Sequence, residues 1–386
     1  MSKLDELIAE LCPDGVEYKE IDEIFELKNG YTPSKRNNDF WENGTVPWFT
    51  LNDIRTNGRL LDDSIQHVTE DGVKGGKLIP KGSIIMSTTA TIGEHALIKV
   101  DALTNQQITS FSLRTSYNNK LDIMFAFYYF FIYGEWCQKN ANQSGGMAII
   151  SLKKLKQFKI PLPPLPVQQE IVRILDNFTE LTAELTAELT AELTARRKQY
   201  EYYRDLLLTF GDDVSWCNLD EILKIRNGKD YKSFNIGNIP VYGSGGIMTY
   251  IDTYAYDKPS VLIPRKGSID KLYYVEKPFW TVDTIFYTEI YTSKVIPKYV
   301  FYCLQKERLE QYNTAGGVPS LTQTVLNKVK IPVPPLEEQE RIVAILDRFD
   351  ALCNDLTSGI PAEIEARQKQ YEYYRDKLLS FKEVTA

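Results

Sequence analysis

Few residues of this chain have the types and spacings that catalysis requires. Gly243–Gly246, written GSGG, matches neither GxGxxG nor GxxxxGK[ST], so a glycine-rich turn explains it better than a phosphate loop. The Gly-Ser-Ile after Lys81 lacks the GxSxG spacing of a nucleophile elbow. The only histidines, His67 and His95, have no metal-like neighbours, and Asp62–Asp63 suits solvated loop charge. No Asn/Asp-Pro-Pro-aromatic motif of an amino-methyltransferase is present. We therefore expect no catalytic residue, no metal site and no cofactor in this chain.

Composition and cysteine usage limit the class of protein. The 386 residues, 43% of them hydrophobic, suffice for two or more domains with apolar cores. The five cysteines are dispersed without a CxxC pair, which indicates reduced thiols and neither a disulfide framework nor a zinc site. The opening MSKLDELIAELCPDG is acidic and amphipathic, unlike a signal peptide, and no apolar run reaches membrane-spanning length. We therefore expect a cytoplasmic protein.

The charge balance is acidic, with a net charge of −7 and a pI near 5.2. This balance argues against nonspecific nucleic-acid binding, which usually requires a basic surface. Acidic residues are crowded in the first 26 positions and in the predicted helices. Local basic patches elsewhere therefore remain compatible with the composition.

An internal repeat dominates the sequence. IPLPPLPVQQEIVRILDNF, from Ile160, recurs 171 positions later as IPVPPLEEQERIVAILDRF, from Ile331. RRKQYEYYRDLLLTF, ending at Phe210, recurs as ARQKQYEYYRDKLLSF, ending at Phe381. Because the repeat is long and its spacing constant, it sets the architecture before any local motif does.

The first copy predicts one long helix from Val167 to Phe210. Apolar residues recur at helical spacing and no glycine or proline interrupts the run, which gives a helix of roughly 40 residues and about 60 Å. Its apolar stripe requires a partner, and the second copy is the obvious one. That copy is expected to break near Ser358, Gly359 and Pro361.

The tandem TAELTAELTAEL, from Thr182 to Leu193, has two interpretations. It is either a solvated spacer of good helix propensity or a ruler, meaning a segment whose length sets a spacing. Four added residues lengthen a helix by ~6 Å and rotate its end by ~40°. One DNA base pair turns about 35° and rises about 3.4 Å, so the tetrapeptide nearly matches the rotation and overshoots the rise.

Two similar globular regions precede the two helical copies. Short β-branched and aromatic runs between Gly, Pro and Asn predict strands, and each region ends in an aromatic helical stretch, from Met124 and from Tyr299. The shared landmarks are the turn signals Asn29–Gly30 and Asn227–Gly228, and the segment starts Val46 with Ile239, Leu78 with Leu262, Thr104 with Thr281, and Ser144 with Ala315.

The predicted fold class is α+β. Two mixed α/β domains are separated by two long helices packed as an antiparallel coiled coil, with a pseudo-twofold internal repeat. The predicted boundaries are 1–150 and 212–321 for the globular domains, and 151–211 and 322–386 for the helical spacers.

In these features the chain resembles the specificity subunit (HsdS) of type I restriction–modification systems. The resemblance rests on PLPPLPVQQEIV with PVPPLEEQERIV, on the paired QYEYYRD segments, and on the TAEL repeats, which are typical of the IC-like subgroup. It covers nearly the whole chain, since two variable regions alternate with two similar ones.

The resemblance implies that each globular domain is a target-recognition domain for one half of a split DNA site. The paired helices would set the gap and dock two modification methyltransferase subunits, which would carry S-adenosylmethionine. Separate restriction subunits would use ATP and Mg²⁺. The chain itself would be a non-catalytic subunit.

Base readout requires Arg, Lys, Asn, Gln, Ser and Thr on loops that reach the major groove, although ordinary solvated surface would show the same residue types. In the first domain the predicted DNA contacts are Lys35, Arg36, Asn37, Thr88, Thr89, Thr91, Asn105 and Gln106. In the second domain they are Lys229, Tyr231, Lys232, Tyr242, Ser244, Gly245, Arg265 and Lys266.

The repeated aromatic-basic clusters on the helices suit either helix packing or subunit docking. They comprise Tyr200, Tyr203 and Arg204 with their copies Tyr371, Tyr374 and Arg375. Packing is favoured for the tyrosines and docking for exposed arginines. The alternative to a DNA-binding subunit is a two-domain scaffold that binds protein partners and no DNA.

Overall fold

The computed structural model describes residues 2–144, 146–211, 213–313, 316–354 and 359–384. The chain forms two compact units, Met1–Leu185 with Arg367–Ala386, and Thr186–Ala366. Each long helical region contributes to both units. Among the helices in the described ranges, none is both long and apolar enough to cross a membrane.

Within the described residues, the first unit contains two sheets, two strand pairs and five α-helices ahead of the long helix. In chain order the elements are α1 (Lys3–Leu11), β1 (Tyr18–Glu20), α2 (Ile21–Ile24), β2 (Phe25–Asn29), β3 (Val46–Phe49), α3 (Leu51–Asn57), β4 (Leu60–Leu61), β5 (His67–Val68), β6 (Ile84–Ser87), β7 (His95–Ile98), β8 (Leu103–Thr104), β9 (Ile108–Leu113), α4 (Ile123–Lys139), β10 (Asn142–Ser144), β11 (Met147–Ile149), α5 (Leu152–Lys156), β12 (Lys159–Pro161) and the start of α6 (Leu165–Leu207).

The second unit repeats this order in shorter form. After the end of α6 come β13 (Ser215–Asn218), α7 (Leu219–Ile222), β14 (Leu223–Asn227), β15 (Ile236–Gly243), β16 (Gly246–Ile251), β17 (Ser260–Pro264), β18 (Tyr273–Val275), β19 (Trp280–Thr281), β20 (Ile285–Ile290), α8 (Pro297–Lys306), α9 (Gln323–Leu326), β21 (Lys330–Val333), α10 (Leu336–Asn354) and the start of α11 (Ile360–Leu378), whose remainder lies in the first unit.

The two units share one sheet topology. The larger sheet has strand order β2-β9-β6-β7-β4 in the first unit and β14-β20-β17-β18 in the second. The smaller sheet has order β5-β3-β8 in the first and β16-β15-β19 in the second, and each contains one parallel pair. The predicted α+β class with duplicated mixed domains is confirmed.

Strand register corrects one of the predicted landmarks. β6 pairs Met86 with Thr109 and Ser87 with Ile108, and β17 pairs Ile263 with Phe286 and Pro264 with Ile285. Ser87 therefore corresponds to Pro264, and the proposed match of Leu78 with Leu262 is wrong. That match followed shared letters, whereas the hydrogen-bond ladder determines which residues are equivalent.

Other landmarks agree with the register. Phe49 pairs with Thr104 and Tyr242 pairs with Thr281 in the two parallel ladders, which confirms the matches that start at Val46 with Ile239 and at Thr104 with Thr281. The match of Ser144 with Ala315 involves a residue outside the described ranges.

The aromatic helix α4 forms the centre of the first core. Phe130 lies edge-to-face against Phe25, Phe111 and Tyr133, at ring-centre distances of 5.8, 5.0 and 5.2 Å. In the second unit α8 takes this place with fully buried Tyr299 and Tyr302. Aromatic side chains bury large apolar areas, which explains why both helices carry so many of them.

The repeated helical segments pack first on the globular domain that precedes each of them in the chain. Val167, Ile171 and Leu175 of α6 belong to the core that contains α4, and Ile342 and Leu346 of α10 belong to the core that contains α8. The first part of the apolar stripe is therefore covered by a globular domain, and only its later part meets the other helix.

Where the helices meet, they run antiparallel within each unit. In the first unit Phe178 lies 6.3 Å from Tyr374 between ring centres, and the Thr179 and Tyr371 hydroxyls are 2.9 Å apart. In the second unit Tyr203 stacks on Phe349 at 5.6 Å.

The predicted break in the second helical copy is confirmed. In the described residues α10 reaches Asn354, and α11 begins at Ile360, directly after the bend at Gly359 and with Pro361 in its first turn. Ser358, the third residue assigned to the break, lies outside the described ranges.

A buried glutamine fixes each helix to its domain. The Gln168 amide donates to Pro163 O (2.6 Å) and Lys120 O (2.8 Å), and its oxygen accepts from Asp122 N (2.8 Å). Gln339 makes the same three contacts, to Pro334 O, Lys294 O and Ile296 N. Nearby, Tyr128 donates to Asp176 (2.7 Å) and Tyr302 donates to Asp347 (2.5 Å).

Candidate nucleic-acid interface

In the first unit, the loop after β2 is held by two indoles. Trp41 Nε1 donates to Ser34 O (3.2 Å) and Trp48 Nε1 donates to Tyr31 O (3.1 Å). The ammonium of Lys35 lies 5.8 Å from the centre of each indole ring. Cation–π attraction therefore favours a defined position for this exposed lysine.

The remaining predicted residues of this loop have different surroundings. Arg36 is exposed, whereas Asn37 is half-buried and its side-chain oxygen accepts from Asp39 N (3.2 Å). The Thr32 hydroxyl bonds to Gln106, and Gln107 N donates to Asn105 Oδ1 (3.0 Å). The fold thus brings residues 32–37 and 105–107, far apart in sequence, to one place.

The loop after β6 adjoins the same place, because Thr88 N donates to Gln107 O (2.8 Å). Thr89 is half-buried and Thr91 is exposed. Thr88 is buried, with its hydroxyl 3.1 Å from that of Thr109. The prediction of a direct DNA contact is therefore corrected for Thr88, since its side chain points into the sheet.

In the second unit, the loop after β14 makes a tight Asx-type turn. Asp230 Oδ1 accepts from Tyr231 N (2.8 Å) and Lys232 N (3.2 Å), and Trp280 Nε1 donates to Lys229 O (2.9 Å). Lys229 and Lys232 are exposed, and Tyr231 is half-buried.

The other predicted residues of this unit meet around Thr284. Ser244 N donates to Thr284 Oγ1 (3.3 Å), while Arg265 N and Lys266 N approach Thr284 O at 2.8 and 3.3 Å. Gly245 is exposed at the hairpin tip. Half-buried Tyr242 packs near Tyr273, at 6.0 Å between ring centres, and burial raises its pKa.

One glycine in each unit allows a close backbone crossing beside the predicted contact residues. A Cβ on Gly30 would overlap Asn105 O and Thr104 Oγ1, and a Cβ on Gly228 would overlap Val282 O and Thr281 O. Asn29–Gly30 and Asn227–Gly228 were predicted as turn signals, and the structure shows close backbone crossings there. Within the described ranges, Thr104 Oγ1 and Thr281 Oγ1 are the buried side-chain polar atoms that lack a hydrogen bond.

The predicted docking residues on the helices are partly turned inward. Tyr200 is buried and donates to Gln305 Oε1 (3.0 Å), while half-buried Tyr371 lies beside Thr179. Tyr203 and Tyr374 are exposed, at 37% and 42%, although each also packs on a ring of the opposite helix, Phe349 or Phe178.

Both arginines predicted to be exposed are buried. Arg204 contacts Asp205 at 2.8 Å, and Arg375 contacts Asp376 at 2.7 Å and lies 4.4 Å from the Phe131 ring centre. The prediction that exposed arginines at these two positions dock a partner subunit is therefore wrong. In each case the carboxylate of the next residue pairs with the buried guanidinium.

The most exposed aromatics of the repeated segment are Tyr202 and Tyr373, at 64% and 62%. Each lies next to its neighbouring tyrosine in an edge-to-face pair, at 5.4 and 5.3 Å between ring centres. The predictions omitted both. The helical periodicity of the sequence could have predicted their exposure. Tyr200 and Arg204, four residues apart, share the inward face of the helix, and position 202 lies away from it.

The chain matches known proteins along most of its length. The profile of the type I restriction modification DNA specificity domain matches residues 13–195 and 212–366. The specificity subunit of the type I restriction enzyme EcoprrI from Escherichia coli is 42% identical over 377 residues, covering 92% of this chain and 93% of that protein.

Two solved structures share the fold. A chain from a structure on complex assembly and conformational transition of the type I R-M system covers 95% of this chain and 98% of its own, with TM-score 0.69 and 17% identity. The HsdS subunit from Thermoanaerobacter tengcongensis covers 96% and 97%, with TM-score 0.53 and 16% identity.

Proposed function

The chain belongs to the family of type I restriction–modification DNA specificity subunits, and we propose that it reads a split, asymmetric DNA site for partner subunits that perform the chemistry. The observation that carries this proposal is the duplicated scaffold with different loop residues. Two copies of one sheet topology present polar and basic residues in the loops after equivalent strands, β2 and β14 or β6 and β17, and the residues themselves differ between the copies.

Different side chains on a common scaffold suit the recognition of two different half-sites. Phosphate contacts position a protein on DNA, whereas contacts to base edges specify the sequence. Lys35 and Arg36 in the first unit, and Lys229 and Lys232 in the second, are exposed cations suited to phosphates or to guanine. Gln106, Thr89 and Ser244 offer the neutral hydrogen-bonding groups that base edges match.

The alternative, a scaffold that binds only protein partners, explains the helices and leaves the loop differences without a role. The DNA proposal accounts for both features.

The helices would dock two modification methyltransferase subunits, and through them the restriction subunits. Tyr202 and Tyr373 occupy equivalent positions in the repeat, so one kind of partner surface could bind at both. S-adenosylmethionine would be bound by the modification subunits, and ATP with Mg²⁺ by the restriction subunits.

The TAEL segment would set the gap between the half-sites. It lies inside the continuous helix α6, with Leu185, Leu189 and Leu193 half-buried and the alanines and glutamates exposed. Each four-residue repeat adds ~6 Å and ~40° to this helix. A change in repeat number therefore changes spacing and phase without altering either recognition surface.

Single-molecule mapping of methylated adenine tests the proposal. The chain is co-expressed with the modification subunit of its own system in cells that lack other adenine methyltransferases. We expect a bipartite motif with methyladenine in both halves, and no such mark when this gene is deleted. An unmethylated genome, together with salt-independent or absent DNA binding by the purified complex, would support the protein scaffold instead.

A further inference from the structure

We propose that the loops formed by residues 88–91 and 265–268 distinguish the two half-sites, with Arg265 and Lys266 selecting a guanine that the first unit does not select. We name these two segments the crossover loops. The first follows β6, and the second follows the equivalent strand β17. This proposal rests on the proposed DNA-reading function and assigns the residues that carry its asymmetry.

Matching backbone hydrogen bonds make the two crossover loops equivalent. In the first unit Thr88 N donates to Gln107 O (2.8 Å), Ala90 N to Ala148 O (2.8 Å) and Ile150 N to Thr88 O (3.1 Å). In the second unit Arg265 N donates to Thr284 O (2.8 Å), Gly267 N to Pro319 O (3.0 Å) and Leu321 N to Arg265 O (2.9 Å). Each loop is therefore held on both sides by the same backbone scaffold.

Backbone conformation agrees with this equivalence. Ala90 and Gly267 both adopt the left-handed region, with φ of 65° and 82°. Alanine is uncommon in this region, so its presence indicates that the surrounding contacts impose the conformation. Thr89 and Lys266, one position earlier, consequently leave the two scaffolds at the same point.

The side chains at these equivalent positions differ in chemistry. Thr88 and Thr89 carry neutral hydroxyls and methyl groups, and Thr88 is buried. Their counterparts are Arg265, which is half-buried, and Lys266, which is exposed. Arg and Lys match the O6 and N7 acceptors of guanine, whereas threonine makes weaker and less selective contacts.

The surroundings of Arg265 favour a defined direction for its side chain. The guanidinium carbon lies 5.7 Å from the centre of the Phe286 ring, which is 2% exposed. Ser244 of the hairpin tip is anchored to Thr284, the residue whose carbonyl accepts from Arg265 N. The hairpin tip and the loop that carries Arg265 and Lys266 are thus both anchored to Thr284. The two basic residues therefore lie beside the hairpin.

The test replaces the basic pair by its structural counterpart, in the variant Arg265→Thr/Lys266→Thr. The complex with the modification subunits is mapped for methyladenine as above. We expect the first half and the gap to stay unchanged while one guanine position in the second half loses its requirement. A good bidentate contact is worth about 1–3 kcal/mol, so preference for that guanine should fall roughly 5- to 150-fold.

The variant Arg265→Lys separates the effect of positive charge from that of base readout. It keeps the charge and removes the planar guanidinium group that can make two hydrogen bonds to one base. We expect this variant to lower guanine preference while nonspecific affinity is kept. The matched control is Lys224→Thr. Lys224 is an exposed lysine at the far end of β14, opposite Glu289 in the neighbouring strand β20. This control removes a charge from the same unit and should leave the motif unchanged.

A reciprocal variant, Thr89→Lys, places the lysine at the equivalent position of the first unit. It should create a guanine preference in the first half alone, and it keeps the test valid if the double variant does not fold. An unchanged motif in the folded variants, or weaker methylation of all sites with the motif intact, overturns the proposal. Absence of any split motif with the unaltered chain would instead overturn the proposed function.

Discussion

At the scale of single residues, His95 shows how burial turns a titratable group into a structural one. Its ring nitrogens lie 3.3 Å from Gly93 O and 3.1 Å from Phe127 O, and the ring is fully buried. Desolvation, with the nearby Arg59 charge, lowers the pKa of His95 to about 3. These contacts give His95 a structural role in the core of the first unit.

The His95 pKa predicts acid sensitivity. The unfolded chain binds a proton below pH 6.5 while folded His95 stays neutral to about pH 3, so stability is lost as pH falls through this window. Between pH 7.5 and pH 5, the free energy of unfolding should drop by about 2 kcal/mol from this group, at 1.36 kcal/mol per pH unit below 6.5.

Urea titrations at pH 7.5, 6 and 5 measure this dependence. The His95→Gln variant should lose about 2 kcal/mol less across the range than the unaltered chain. His67→Gln, which removes the half-buried histidine bonded to Asp63, is the control. Equal pH slopes for the His95 variant and the unaltered chain would contradict the prediction.

Gly228 makes a second prediction at this scale. A methyl group there would overlap the backbone carbonyls of Thr281 and Val282, which cannot move aside as a side-chain end could. Gly228→Ala should therefore lower the free energy of unfolding by about 3 kcal/mol. Thermal unfolding measures the loss. Gly316→Ala, where a Cβ would meet nothing within 4 Å, is the control, and equal losses in both would refute the crossing argument.

At the scale of elements, the glutamines at the start of the repeated helices join each helix to its domain. Replacing Gln168 by leucine keeps the size and leaves Lys120 O, Pro163 O and Asp122 N without their partner. Each buried unsatisfied group costs about 1–3 kcal/mol, so Gln168→Leu should destabilise the first unit by on the order of 3 kcal/mol.

The neighbouring Gln169→Leu provides the control, because Gln169 is exposed on the same helical turn. Hydrogen exchange followed by mass spectrometry should show faster exchange in α4 and the first turns of α6 for the Gln168 variant alone. Unaltered exchange there would mean that the apolar contacts of Val167 and Ile171 suffice to hold the helix.

Tyr202 and Tyr373 lie on the surface of the repeated helices where we predict that the modification subunits dock. Tyr202→Ala with Tyr373→Ala removes the two most exposed aromatics of the repeat and should weaken binding of the modification subunit at least tenfold, since central aromatic anchors are typical hot spots. Isothermal titration measures the affinity. Tyr291→Ala removes a 43% exposed tyrosine from the globular part of the second unit and is the control. Equal affinities for both variants would exclude this surface from docking.

At the scale of the whole molecule, the TAEL repeats predict that spacing and recognition are separable. Deleting residues 186–189 shortens α6 by ~6 Å and rotates its end by ~40°. The gap in the methylated motif should shrink by one base pair while both halves stay the same. Thr186→Ala with Thr190→Ala keeps the length and should keep the gap. A changed half-site after the deletion would reject the ruler interpretation.

The sequence by itself determined the duplicated architecture, the long helix, the break near Gly359 and the family. Each follows from signals that are local or regularly spaced: helical periodicity, helix-breaking residues and a repeat of constant offset. It also brought out loop residues such as Lys35 and Arg265, because polar and basic residues between predicted strands are visible without a fold.

Only the tertiary structure decided which of these residues face solvent and which positions correspond. Thr88, Arg204 and Arg375 have polar side chains but are buried, since strand register and helix phase, rather than residue type, set their directions. The equivalence of Thr88 with Arg265 depends on hydrogen bonds to Gln107 and Thr284, which are distant in sequence. Such long-range pairing leaves no local signal in the sequence, because it arises only when the sheet assembles.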